Sequence, residues 1–142
     1  MTWQTDVAAR TLVQEVRGEP LEGQIAVAWV LKNRLADGRW GKTLSSVCLW
    51  HAAFSGWWCP RQADGKPYYD PNFAYACGLQ DDDPMVEHML EILAEVLPAD
   101  PAIDPTDGAT HYCNLDVVSP PWAQGATQTV KIGRHTFFKN VK

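Results

Sequence analysis

The stretch QEVRGEP (residues 14–20) joins two apolar helical patterns, and the positions of the other predicted elements follow from this junction. Before it, residues 6–16 repeat apolar side chains at helical spacing, with Asp6 as the expected N-cap. Gly18 and Pro20 interrupt that pattern. Pro20 suits the first position of a second helix, which should carry Glu22 in its first turn and run to about Ala36. That helix is apolar on most sides, so it should be central.

Working outward, the remaining helices are predicted in the first two thirds of the chain. Residues 43–50 can form a short third helix, and residues 54–75, rich in Gly, Pro and aromatic residues, favour an irregular segment. Residues 84–97 carry an apolar stripe typical of a surface helix. The acidic triplet at 81–83 precedes this helix and is predicted to cap its positive end rather than to bind a metal.

The last third of the chain predicts a small sheet. Residues 98–108 are rich in Pro and Asp and favour turns. Residues 109–113 are expected to form a strand, and residues 127–139 a hairpin that bends near Gly133. N-terminal helices followed by a small antiparallel sheet indicate an α+β fold, and residues 1–142 are expected to form a single domain.

Composition excludes some classes of function. The 142 residues include 12 Lys and Arg against 17 Asp and Glu, for a net charge of -5, without a basic cluster. Nucleic acid is therefore not expected as a partner, because phosphate binding needs basic surfaces. No apolar run approaches the roughly 18 residues of a membrane helix, so no membrane partner is expected either. The four histidines lack metal-ligand spacing, and no metal or other cofactor is predicted.

The ends and the cysteines are less informative. The first residues have no basic and apolar regions of a signal peptide, so synthesis in the cytoplasm is expected. Four cysteines, at 48, 59, 77 and 113, allow three disulfide pairings or reduced thiols, and the sequence does not distinguish between these states.

The seven tryptophans exceed what a core of this size needs, so some are expected on a ligand surface. Trp29 is expected in the core, Trp3, Trp40 and Trp50 receive no role, and Trp58 can belong either to the core or to that ligand surface.

The acids around the junction carry the first indication of chemistry. Glu15 lies in the last turn of an apolar helix, where burial and the helix dipole disfavour the carboxylate and should raise its pKa. Glu19 and Glu22 flank the start of the next helix, where the dipole favours ionisation. Carboxyl groups with separated pKa values suit general acid catalysis of glycoside cleavage. Contact with Arg17 would oppose the shift at Glu15, and an ordinary set of surface acids is the alternative.

Four ordered blocks resemble the cell-wall hydrolase family of the spore-cortex-lytic enzyme SleB, of the SleB/CwlJ type. The resemblance covers nearly the whole chain, and the blocks together are far more specific than any one of them. They are ARTLVQEVRGEPLEGQIAVA with the following Asn33-Arg34, then FSGW (54–57), DPTDGATHY (104–112), and Trp122 with IGRHTFF (132–138).

The resemblance implies a lysozyme-like fold, related to lytic transglycosylases, that acts on the glycan strands of peptidoglycan. It assigns the catalytic acid to Glu15, which would protonate the oxygen between N-acetylmuramic acid and N-acetylglucosamine. In a lytic transglycosylase the same group then acts as base, so no second carboxylate is needed. Hydrolysis by a muramidase or glucosaminidase needs a second acid about 5 to 9.5 Å away, for which Asp107 and Glu19 are the candidates. We favour the transglycosylase.

Glycan binding suits aromatic faces combined with fixed polar groups. Arg17 and Glu19 are assigned supporting roles, with Glu19 expected to pair with Arg17 or to order the turn, and Asn33 and Arg34 are expected to anchor the second helix. A zinc amidase, a cysteine amidase and a non-catalytic sugar-binding module are the alternatives, and an essential Glu15 would exclude the last. The residues predicted to bind substrate are Phe54, Ser55, Trp57, Gly108, Thr110, Tyr112 and Trp122.

The expected setting is that of a phage or prophage endolysin. A monomeric catalytic domain without a visible signal peptide would reach the periplasm and cell wall through holin lesions. A truncated exported enzyme and a host wall-remodelling protein are the alternatives.

Overall fold

The computed structural model describes residues 2–50, 53, 54, 57 and 70–142. In these residues, five α-helices precede three short strands, and two single 3-10 turns, Pro101–Ile103 and Pro121–Ala123, lie among the later elements. The helices are α1 (Trp3–Val16), α2 (Leu21–Asp37), α3 (Leu44–Leu49), α4 (Pro71–Gly78) and α5 (Pro84–Val96), and the strands are β1 (His111–Cys113), β2 (Thr127–Ile132) and β3 (His135–Lys139).

Helix α1 begins one turn earlier than its apolar pattern predicts. Thr2 is the N-cap and forms a capping box with Thr5, in which each hydroxyl accepts the other residue's backbone N–H. The prediction that Asp6 caps the helix is therefore wrong. Asp6 instead forms an ion pair with Arg10, one turn further on, at 2.8 Å.

The junction between α1 and α2 is a tight turn, as predicted. Pro20 occupies the N-cap position of α2 rather than its first helical position, and its fixed φ of -61° suits the extended backbone there. Helix α2 ends at Gly38, whose left-handed backbone (φ 88°) lets its N–H donate to the Arg34 carbonyl. The helix is buried along most of its length, and Trp29 is only 2% exposed, which confirms its place in the core.

The prediction of an irregular segment over residues 54–75 is partly wrong. Helix α4 begins inside that range, at Pro71, because the Asp70 carboxylate accepts the N–H groups of Asn72 and Phe73 and caps it. An Asp-Pro pair is a helix-start signal that the aromatic and Gly-rich composition obscured. Residues 55, 56 and 58–69 lie outside the described part of the chain.

The surface helix is confirmed as α5, which buries its predicted stripe of Val86, Met89 and Leu93. Of the acidic triplet before it, Asp83 caps the helix by accepting the Met85 N–H. Asp81 instead accepts a hydrogen bond from the buried Arg10 at 2.8 Å and so joins α1 to the start of α5. The triplet is thus divided between a cap and an ion pair.

The three strands form one antiparallel sheet in the order β1-β3-β2. The hairpin of β2 and β3 turns at Gly133, which has a φ of 59° and comes so close to Pro20 that a Cβ would lie 3.3 Å from its ring. The hairpin therefore packs directly on the α1–α2 junction. In β1, Tyr112 lies opposite Phe137, which places it on the same face as His135, two residues earlier on β3.

The core lies between α1, α2 and α5, with α3 and α4 packed on α1 and the sheet at one end. Phe137 of β3 is completely buried and joins the sheet to this core. The α+β class with helices first and a small antiparallel sheet after them is confirmed. Among the described residues, no helix combines the length and hydropathy needed to cross a bilayer.

Candidate active site

Glu15 lies at the end of α1, where its side chain meets the sheet. The Tyr112 hydroxyl on β1 donates a hydrogen bond to Glu15 Oε2 at 3.1 Å. The two residues are 97 positions apart in sequence, so this contact exists only because the sheet packs against the end of α1. Glu15 is half-buried and sits between completely or nearly completely buried apolar neighbours of the same helix, Val13 and Val16.

The pKa of the Glu15 carboxyl is raised above its usual value. Burial is the main cause, because it removes water from the charged form, and the negative charge of Asp70 acts in the same direction. The hydrogen bond from Tyr112 and the positive charge of Arg34 oppose the shift without cancelling it. A carboxyl group with this environment keeps its proton to higher pH, which is the property that a general acid requires.

Arg34 brings the positive charge into the site. Its side chain is 6% exposed, its Nε donates to the Thr110 carbonyl at 2.6 Å, and its guanidinium stacks on Trp40 and Phe54 at 4.8 and 5.1 Å. Its Nη1 is buried and has no acceptor within the described part of the chain. Arg34 therefore anchors α2 to the residue just before β1, as predicted, and also acts electrostatically on Glu15.

A cavity of about 530 Å³ opens at Glu15. Arg34 and Tyr112 line it beside Glu15, and Phe54 and Trp122 contribute aromatic surface. Phe54, although only 3% exposed, thus reaches both the core and the cavity wall. The remaining lining residues are Ala53, Cys113, Val118 and Pro120. An acid, a cation and aromatic faces therefore converge on one concave surface.

Two aromatic contacts fix the position of the Tyr112 ring. The His135 ring packs against the edge of Tyr112 with centroids 5.0 Å apart, and the Phe137 ring lies 5.7 Å away. His135 Nδ1 is in turn 3.3 Å from Glu19 Oε1, although the two atoms are not aligned for a hydrogen bond. Burial lowers the pKa of His135, which favours its neutral form against the attraction of Glu19.

Arg17 and Glu19, the two residues assigned supporting roles, contact different partners and not each other. Arg17 does not pair with Glu19: its Nη2 donates to Asn72 on α4 at 2.7 Å, and its guanidinium lies over the Tyr75 ring. The pairing fails because the Arg17 side chain runs back along α1, where Nη1 donates to the Val13 carbonyl. Glu19 contacts the hairpin instead, with a 3.4 Å hydrogen bond from Arg134, so it orders the junction as the alternative prediction stated.

Three of the residues predicted to bind substrate lie away from the Glu15 cavity. The Trp57 indole donates to Thr11 at 2.7 Å and lines a different cavity, beside Arg10. Thr110 is buried and contacts the His111 ring, while its carbonyl holds Arg34. Gly108 lies in the turn that Asp104 organises by accepting its N–H. Ser55 is outside the described residues.

The carboxylates considered as partners of Glu15 are engaged elsewhere. Asp107 is exposed and forms an ion pair with Lys139 at 2.7 Å, and Glu19 faces the hairpin. Asp70, which sequence reasoning missed, is the acid whose charge reaches Glu15. Its place before a Pro-initiated helix was the available signal, but the sequence could not show that α4 packs on α1.

The other cysteines, histidines and acids that the structure describes form no second reactive centre. Cys48, Cys77 and Cys113 are free thiols, and burial raises the pKa of Cys48 to about 11. Within the described ranges, no three His, Cys, Asp or Glu side chains are grouped so as to hold a metal ion. Cys59 lies outside these ranges.

Comparison with solved structures defines the class of protein. The catalytic domain of the germination-specific lytic transglycosylase SleB from Bacillus anthracis matches 98% of this chain and 97% of its own, with a TM-score of 0.69 and 28% identity. The catalytic domain of Bacillus cereus SleB matches 96% of this chain and 89% of its own, with a TM-score of 0.68 and 29% identity. The predicted lysozyme-like α+β fold is confirmed.

Sequence comparison then gives the family. The model of the cell wall hydrolase family matches residues 18–138, so this chain belongs to that family. The spore cortex-lytic enzyme of Bacillus subtilis is 33% identical over 130 residues, which are 91% of this chain and 35% of that protein. The Oceanobacillus iheyensis enzyme is 34% identical over 131 residues, covering 92% of this chain and 40% of its own length. This chain thus spans about two fifths or less of these two relatives.

Proposed function

We propose that this chain cleaves the glycan strands of peptidoglycan as a lytic transglycosylase, with Glu15 as the catalytic acid and base. The observation that carries the proposal is a carboxyl group of raised pKa, held by the Tyr112 hydroxyl at 3.1 Å in a cavity of about 530 Å³. Membership of the cell wall hydrolase family and the likeness to SleB catalytic domains support the substrate class.

The reaction begins with protonated Glu15. Its proton passes to the glycosidic oxygen between N-acetylmuramic acid and N-acetylglucosamine as the bond from muramic C1 to that oxygen breaks. Arg34 and the Tyr112 hydroxyl stabilise the carboxylate that remains. This carboxylate takes the proton of the muramic acid C6 hydroxyl, whose oxygen attacks C1. A 1,6-anhydro product forms, Glu15 regains its proton, and no water is consumed.

The contacts that Asp107 and Glu19 make elsewhere favour transglycosylation over hydrolysis. A hydrolase with two carboxylates needs the second one across the scissile bond, about 5 to 9.5 Å from the first. Asp107 and Glu19 are bound to Lys139 and the hairpin, so neither is free for that role. Asp70, whose charge acts on Glu15, is the remaining candidate for a second carboxylate, but it caps α4 and is not among the residues that line the Glu15 cavity.

Replacing the acid tests the enzyme assignment. Glu15→Gln removes the proton donor while keeping the shape of the side chain, and we expect lysis of purified peptidoglycan to fall by about 10² to 10⁴-fold. Glu91→Gln, on the exposed face of α5, is the matched control and should retain full activity. Unchanged lysis by Glu15→Gln would refute the assignment and leave a sugar-binding module or another active centre.

Mass spectrometry of the digested wall distinguishes the reactions. Anhydro-muramic ends are expected from the transglycosylase, and these should survive in Asp70→Asn. Reducing muramic or glucosamine ends that disappear in Asp70→Asn would establish hydrolysis instead, and released peptides would point to an amidase or endopeptidase.

We further propose that the protein acts as a phage endolysin. We expect the protein to lyse cells from within only when a holin is expressed with it, as a phage lysis enzyme does. Lysis without a holin would show another route to the wall and would overturn this setting, without bearing on the role of Glu15.

A further inference from the structure

A second cavity, of about 370 Å³, adjoins the Glu15 cavity. The two share Arg34, Tyr112 and Trp122 as common walls, together with Ala53. Because the same side chains line both spaces, the second one lies within reach of a chain-like ligand bound at Glu15. We call this second space the tryptophan cavity, and its other lining residues are Trp40, Trp50 and His111.

The aromatic walls of the tryptophan cavity are fixed to different degrees. The His111 ring lies between Trp40 and Trp122, with centroids 5.5 and 4.9 Å away. Trp40 also carries the guanidinium of Arg39 at 4.6 Å, so it is held from several directions. Trp50 follows α3 directly and is 47% exposed. Trp50 therefore offers an indole surface that the core does not use.

The polar groups of this cavity suit an uncharged ligand that forms hydrogen bonds. His111 is neutral near pH 7, because burial and the neighbouring arginines lower its pKa to about 4. A neutral imidazole has one donor and one acceptor nitrogen, and Thr110 engages Nδ1 at 2.8 Å. Arg34 contributes a charged donor group. Aromatic faces beside such groups match a pyranose ring, which has apolar C–H faces and a rim of hydroxyl and acetamido groups.

We propose that the tryptophan cavity binds an N-acetylated sugar of the glycan strand, next to the sugars held at Glu15, with Trp50 as the stacking platform. The proposal rests on the function proposed above and specifies how the strand is held: the enzyme gains affinity from sugars beyond the bond that is cut. Trp40 and His111 support the cavity, and Trp50 makes the separable contribution.

Binding in the absence of turnover tests this proposal. In a Glu15→Gln background, calorimetry measures the affinity for peptide-free oligomers of N-acetylglucosamine and N-acetylmuramic acid, from one disaccharide to several. We expect affinity to rise with length, and Trp50→Ala to weaken the longest oligomer about tenfold, or about 1.4 kcal/mol. Trp50→Phe keeps an aromatic face and should retain most of that affinity, whereas Trp50→Leu keeps an apolar side chain without an aromatic face and should lose it; this pair keeps the test valid even if Trp50→Ala unfolds.

The control is an exposed tryptophan elsewhere. Trp3 is 63% exposed and lines the cavity beside Arg10, so Trp3→Ala should bind every oligomer as the parent does. Length-dependent binding that is unaffected by Trp50→Ala and Trp50→Leu would overturn the subsite while leaving the proposed function intact. A Trp50 effect seen only when stem peptides are attached would assign the cavity to the peptide instead. Absence of binding to every oligomer and to intact peptidoglycan would refute the substrate class itself.

Discussion

The hydrogen bond between Tyr112 and Glu15 allows a sharp test, because Tyr112→Phe removes one oxygen atom and leaves the ring on His135 and Phe137. The hydroxyl stabilises the ionised carboxylate, so its loss should raise the pKa of Glu15 further. The protonated acid then persists to higher pH. We therefore expect the alkaline limb of the pH–rate profile to move to higher pH.

The same change should slow the reaction. The carboxylate forms as the glycosidic oxygen takes its proton, and the hydroxyl stabilises that state. A hydrogen bond to a charged group contributes about 1.5 to 3 kcal/mol. Since each 1.36 kcal/mol is about tenfold in rate, the maximal rate should fall by about ten- to a hundredfold.

The assay is the loss of turbidity of purified peptidoglycan, followed from acidic to alkaline pH for the parent and Tyr112→Phe. Tyr75→Phe is the matched control, because Tyr75 is 45% exposed and contacts Arg17 outside the Glu15 cavity. A profile of Tyr112→Phe that superimposes on the parent, or whose alkaline limb moves to lower pH, would refute the role given to this hydroxyl.

Three further predictions concern stability and thiol chemistry. Because the pKa of Glu15 is raised in the folded state, ionising this carboxyl costs stability as the pH rises above its unfolded pKa of about 4.3. Glu15→Gln should therefore melt at a higher temperature than the parent at pH 7, and at the same temperature below about pH 4.3. A lower melting temperature at pH 7 would contradict this. Arg10 is buried and donates to Asp6, Asp81 and two backbone carbonyls, so Arg10→Ala should lose about 3 kcal/mol in urea unfolding. A loss no larger than that of Lys139→Ala, which removes an ion pair with the exposed Asp107, would count against a buried network. A thiol reagent at pH 8 should label the exposed Cys77 before the buried Cys48, whose pKa is about 11, with mass spectrometry reporting the order; prior labelling of Cys48 would disprove its burial.

The local sequence pattern was sufficient to predict most of the helices, because each of these has a periodic apolar face and an identifiable end. The α1–α2 junction and α5 were predicted to within a few residues, apart from an earlier start of α1 that depends on the weak Thr2 cap. Helix α4 was missed because its eight residues follow a Gly- and aromatic-rich stretch, and only the Asp70-Pro71 pair marks its start. The Asp70-Pro71 pair correctly marks a helix start, but the composition of the stretch before it led to the prediction of an irregular segment.

The site was only partly predictable for a different reason. Glu15, Phe54, Tyr112 and Trp122 were singled out, and the structure brings all four to one cavity. Trp57 belongs to the same motif block as Phe54, yet its indole turns to Thr11 and away from that cavity. Residues that are neighbours in a motif need not face the same way, and their direction is set by packing.

The linear sequence was enough to predict four of the five helices described, the three strands, the family, and an acid at the end of an apolar helix. These follow from apolar periodicity, turn residues and motifs that are continuous in the chain. The groups that surround that acid could be identified only once the fold was known. Tyr112, Arg34 and Asp70 come from three other elements, and burial among them sets the pKa of Glu15, because desolvation and Coulomb interactions depend on distance in space rather than along the chain.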